Sequence, residues 1–147
     1  MNREITRPRA QAPAPVRRFS VQLSSTRRGA RLARLLSTEQ LRTWGVPLEA
    51  AGQIIAELAS NAAVYGRVPA RDFRVTLTAS VESLRIEVMD TRGDRLPEVR
   101  EPDGEDETGR GLLIVAALAD RWGVELGPEP LKTVWAELDV NQGPHRG

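Results

Sequence analysis

Apolar and polar residues alternate at Phe19, Val21 and Leu23, and again at Phe73, Val75, Leu77 and Ala79, a period of two that predicts half-buried strands. Leu84, Ile86 and Val88 repeat the alternation. Ser80 to Ser83 supply turn residues between these last two runs, so the segment reads as a hairpin whose second strand carries Asp90 at its end. Between the first strand and the hairpin the period becomes helical. Ser24, Ser25 and Thr26 offer N-cap oxygens, Ala30, Leu32, Ala33, Leu35 and Leu36 follow at helical spacing, and Gly45 is the stop after Trp44. A second helix opens at Pro47, runs through Ala51, Ile54, Ile55, Leu58 and Ala62, and ends near Tyr65-Gly66. Gly109-Arg110-Gly111 leads into a third, through Leu112, Val115 and Leu118. Trp122 to Leu126 and Thr133 to Leu138 read as two more strands, joined at Gly127 to Pro130.

This order of elements predicts a two-layer α/β (α+β) sandwich: a mixed, mainly antiparallel sheet covered on one face by about three helices. The globular part spans 16–140. Residues 1–15, with prolines at 8, 13 and 15 and little apolar content, read as a disordered basic leader, and 141–147 as a flexible tail. The long stretch from Thr91 to Thr108, rich in Gly, Pro and charge, reads as a functional loop.

Composition narrows the chemistry. The chain has no cysteine, which excludes disulfides, thiolate metal sites and cysteine nucleophiles, and its one histidine, His145, lies in the tail. No run approaches the ~20 apolar residues of a membrane span, so a cytoplasmic protein without membrane contact is expected. A formal charge of +1 conceals an arginine-dense first third and an acidic stretch from Glu98 to Glu107. No aromatic residues interleave with those arginines to stack on bases, so direct nucleic-acid binding is not expected. Lys132 is the only lysine among 21 lysine-plus-arginine residues.

Three places carry candidate chemistry. Glu57 and Asn61 are four apart on the second helix and share a face; a carboxylate there can take a proton, and a neutral amide oxygen suits Mg²⁺, although the same spacing also fits a solvated helix surface. Asp90 ends an apolar strand, where a carboxylate is costly unless a donor such as an adenine amino group meets it; an ordinary turn aspartate is the alternative. Gly109 to Gly111 at a helix mouth can bring backbone N–H groups to phosphate oxygens, or simply make a turn. Thr133, at the head of the last strand, either pairs with a base or with Asp90, or suits a β-branched strand position.

In this order, Glu57-Leu58-Ala59-Ser60-Asn61, Val88-Met89-Asp90-Thr91-Arg92-Gly93-Asp94, Gly109-Arg110-Gly111-Leu112 and Lys132-Thr133-Val134-Trp135 resemble the N box, the two glycine boxes and the closing Thr strand of GHKL ATPases with the Bergerat ATP-binding fold. The stand-alone domain looks most like the bacterial anti-sigma-factor serine/threonine kinases. That resemblance implies ATP and Mg²⁺ as cofactors, Glu57 as general base, Asn61 as metal ligand and Asp90 as adenine acceptor, supported by Thr133 through water. Gly109, Arg110 and Gly111 would meet the phosphates, with Gly93, Thr108 and Leu112 completing the nucleotide contacts. It further implies an anti-anti-sigma factor or a sigma factor as partner, and a homodimer as a common assembly. One departure stands out: the family's Asp-x-Gly-x-Gly is here Asp90-Thr91-Arg92-Gly93-Asp94, which leaves open a catalytically silent, nucleotide-responsive protein-binding module.

Overall fold

The computed structural model describes residues 16–65, 71–91 and 107–140, with the backbone alone given at 64–65 and 107–111. Five strands, β1 (Arg17–Ser24), β2 (Asp72–Ala79), β3 (Ser83–Asp90), β4 (Arg121–Leu126) and β5 (Lys132–Asp139), form one sheet in the order β1-β2-β3-β5-β4. Helices α1 (Arg27–Trp44), α2 (Glu49–Ser60) and α3 (Glu107–Leu118) complete the α+β sandwich. All four strand pairings are antiparallel, so the expected mixed sheet is purely antiparallel among the described residues. Hairpins join β2 to β3 and β4 to β5, and two helices join β1 to β2, whereas the chain after β3 skips one place in the sheet and returns as the edge strand β4.

The alternation written into the strands sorts the two faces. Phe73, Val75, Leu77, Leu84, Ile86 and Val88 are buried together with Ile54, Ile55 and Leu58 of α2. The core is therefore the seam between sheet and helices. Burial of such side chains stabilises by roughly 1.5–3 kcal/mol each before entropy is charged against it.

Helix α1 is capped as its sequence requires. Thr26 Oγ1 accepts from the Gly29 backbone N–H at 2.9 Å, and Gly45 closes the other end in the left-handed region at φ 74°. Its buried stripe is Gly29, Ala33, Ser37 and Leu41, whereas Leu32, Leu35 and Leu36 are 37, 49 and 43% exposed. Where the helix begins it lies close against the end of β1: a Cβ on Gly29 would sit 2.0 Å from the Ser24 carbonyl oxygen.

Helix α2 begins at Glu49, two residues after the expected Pro47, and continues at Asn61–Tyr65 as a π-helical turn. Among the described residues no helix is long and apolar enough to cross a membrane.

The sheet's outer face is polar and ionic. Glu137 accepts from Arg121 Nε and Arg85 Nη1, both at 2.8 Å, and the Arg85 guanidinium lies 4.4 Å from the centre of the Trp135 ring. Gly123, cross-strand from Trp135, leaves room for the indole, since a Cβ there would meet the ring at 3.0 Å. Hydrogen bonds from Arg121 and Arg85 hold the Glu137 carboxyl below its ordinary value. A depressed carboxylate contributes stability above its unfolded value of about 4.3 and loses it as pH falls through the folded one. Glu137→Gln is accordingly expected to cost about 1 kcal/mol at pH 7 and less at pH 3, read from urea unfolding at the two pH values. An equal loss at both would show that charge is not what the network contributes.

Candidate functional site

One end of the sheet holds Asp90 and Thr133. The C-terminal end of β3, the N-terminal ends of β2 and β5 and the C-terminal end of β1 share it by register: Arg74 pairs with Met89, Met89 with Thr133, and Ser24 with Asp72. The π-helical turn that follows α2 packs against both β3 and α3. Turns of this kind displace side chains from the regular helical progression and are common at functional sites.

Glu57 and Asn61 lie where α2 passes into that turn. The Asn61 backbone N–H still bonds the Glu57 carbonyl, so the two side chains remain one turn apart on one face, both half-buried beside buried Leu58 and Ala62. A carboxylate and an amide there flank the buried stripe rather than project into bulk water.

Asp90 is 5% exposed at the end of β3. It lies on the helix-facing side, following Leu84, Ile86 and Val88 at period two. Its cross-strand partner is Lys132, 7% exposed, whose Nζ stands 3.6 Å from Asp90 Oδ2. Thr133 pairs with Met89 and shares the outer face with Trp135 and Glu137. The register thus corrects the expectation for Thr133: it brings Lys132, not Thr133, to Asp90. The signal was present in the sequence, because Val134, Ala136 and Leu138 are the apolar set of β5 and Lys132 is in phase with them.

Thr91 is a second residue that sequence reasoning passed over. Its Oγ1 is buried and has no hydrogen-bond partner among the described residues. A buried hydroxyl without a partner costs about 1–3 kcal/mol, so this strand end is chemically suited to a polar ligand.

Helix α3 starts at Glu107, two residues before the glycines expected to precede it, so Thr108, Gly109, Arg110 and Gly111 form its first turn. The first-turn N–H groups of a helix have no intrahelical acceptor and carry the positive end of its dipole, which favours an anion. Leu112 is fully buried, and Val115 ties the helix to the hydrophobic core. Gly93 lies outside the described residues, as does most of the 91–108 loop.

A cavity of about 330 Å³ opens beside Met89, Asp90, Thr91 and Leu131. Gln22, Arg74 and Met89 in its wall belong to the outer face of the sheet, so it is not the space between sheet and helices into which Asp90 faces.

Residues 23–136 match the family described as the histidine kinase-like ATPase domain. The fold resembles the crystal structure of the RsbU and RsbW domains of Rv1364c from Mycobacterium tuberculosis, with a TM-score of 0.59 and 18% sequence identity over 86% of this chain. The match spans 32% of that longer chain. No curated protein matches the sequence.

Proposed function

The chain belongs to the histidine kinase-like ATPase family, and from that premise we propose that it is a protein-serine kinase and anti-sigma regulator that uses Mg-ATP to phosphorylate an anti-anti-sigma partner. The reading is supported by the buried Asp90 at the end of β3, the Asn61-headed turn that packs against β3 and α3, and the glycine-bearing first turn of α3.

Asp90 accepts the adenine amino group, and the Thr91 hydroxyl beside it, buried and without a partner among the described residues, fits a polar base. Among the described residues no cluster of His, Cys, Asp or Glu holds a metal by itself. Asn61 would offer its amide oxygen to Mg²⁺, whose charge would offset that of the phosphates. The first-turn amides of α3 face the phosphates. When bound, ATP supplies the transferable phosphoryl group and its metal the countercharge. Glu57 takes the proton of the attacking serine hydroxyl as the serine oxygen–phosphorus bond forms and the bond to ADP breaks.

Mg-ATP at about 100 times its dissociation constant is expected to stabilise the fold by about 2.7 kcal/mol, read as a rise in melting temperature. Glu57→Ala should retain that rise and lower phosphoserine formation on an anti-anti-sigma protein by about 10²–10⁴-fold. No thermal response to Mg-ATP would end the nucleotide reading. A response without transfer by the wild type would leave the catalytically silent binding module, whose motive is the altered Asp90-Thr91-Arg92-Gly93 turn.

A further inference from the structure

The end of the sheet opposite Asp90 carries a second cavity, which the scheme above leaves unused. Its volume is about 320 Å³, and Arg17, Trp44, Val46, Pro47, Val81 and Val140 form most of its wall. Register sets it apart from the nucleotide end: Arg17 pairs with Ala79 and Ser83 with Asp139 here, whereas Asp90 pairs with Lys132 a full strand away, roughly 24 Å. We propose that this cavity binds a small organic anion, a carboxylate on an apolar body. The inference does not rest on the nucleotide reading.

The main chain around the cavity is held by its own hydrogen bonds. The Val46 N–H donates to the Leu41 carbonyl and the Val140 N–H to the Glu82 carbonyl, both at 3.0 Å. At the turn between β2 and β3, Ser80 Oγ accepts from the Glu82 and Ser83 N–H groups at 3.2 and 3.1 Å. The space is therefore formed before a ligand arrives, which spares binding the cost of ordering a loop. Its lining has two chemical halves. Trp44, Val46 and Val140 pack against the core from one side, and Val81, 58% exposed, offers a further apolar surface. Arg17 is the one charged residue in the wall, which contains no Asp or Glu. Its Nη1 donates to the Trp44 carbonyl at 3.2 Å, and no carboxylate among the described residues pairs with it. A guanidinium carries five N–H donors in a planar fork that matches a carboxylate, so most of its capacity is left for a ligand. An ammonium would be repelled at that wall, and a neutral hydrocarbon would leave the fork unused. An apolar carboxylate satisfies both halves.

Octanoate titrated into the whole chain, followed by two-dimensional NMR, tests this, with octylamine as the probe of reversed charge. Octanoate is expected to shift the Trp44 indole N–H and the Val46, Val81 and Val140 amides saturably, with a dissociation constant on the order of 1 mM. Octylamine should bind at least about threefold more weakly, the scale of one exposed ion pair. Arg17→Gln should abolish that difference and Arg17→Lys should keep most of it. The proposal is overturned if octanoate does not saturate these resonances, if octylamine binds as tightly, or if the shifts centre on the Asp90 end. It is equally overturned if the same amides move with protein concentration alone, because a second copy of the chain would then cover the cavity. The comparison of the two probes on the wild type needs no variant, so a variant that fails to fold leaves the test intact.

Discussion

Replacing Asp90 by alanine is expected to destabilise the fold by about 3–5 kcal/mol, and adding Lys132→Met to that variant should restore most of the loss. The two side chains are 6 and 8% exposed and 3.6 Å apart. Removing the carboxylate leaves an ammonium at that depth without this counter-charge, and the desolvation that the pair had offset is the dominant cost. Removing both charges trades the pair for apolar contact, which is close to neutral. Urea midpoints of the single and double variants, in the absence of nucleotide, measure the difference. If Asp90→Ala costs under about 1 kcal/mol and the double variant is no better, the pair is effectively solvated and its proximity carries no energy.

The second large effect falls on Gly29. Alanine there should cost about 3 kcal/mol, the upper end of the range for overpacking, because its Cβ would meet the Ser24 carbonyl oxygen at 2.0 Å and the Ser24 carbonyl carbon at 3.0 Å. The obstacle is backbone, so no rotamer change relieves it. Helix α1 has to move off β1, and the stripe of Ala33, Ser37 and Leu41 moves with it. Gly52 of α2 is the control. A Cβ there meets Thr38 Cγ2 at an ordinary 3.5 Å, so Gly52→Ala should be neutral or stabilise by about 0.5–1 kcal/mol through helix propensity. Thermal melts of the two variants should move in opposite directions; a shared direction would mean that the α1–β1 approach is looser than its geometry indicates.

Helix α1 shows how far one-dimensional pattern carries. Its ends are legible, since Thr26 and Gly45 are cap residues for local reasons. Its inward face is not. Leu32, Leu35 and Leu36 satisfy helical spacing as well as the buried set does, and periodicity has no means of preferring one of two overlapping stripes. The packing makes the choice: Gly29 meets the Ser24 carbonyl where the helix begins, while Ala33 and Leu41 join the core shared with α2 and the sheet.

The same division runs through the site. Alternation by itself determined that Asp90 shares a face with Val88 and Ile86, and helical repeat determined that Glu57 and Asn61 share one, because both follow from backbone geometry within a single element. Motif order along the chain was likewise legible. Which residue of β5 stands opposite Asp90 was decided by the pairing register, a relation between segments more than 40 positions apart, and a shift of one residue exchanges Lys132 for Thr133. The π-helical turn at Asn61, the start of α3 at Glu107 and the burial of the Thr91 hydroxyl also depend on what packs against them. Local sequence sets the period of an element; contacts between elements set its phase, its ends and the company its polar atoms keep.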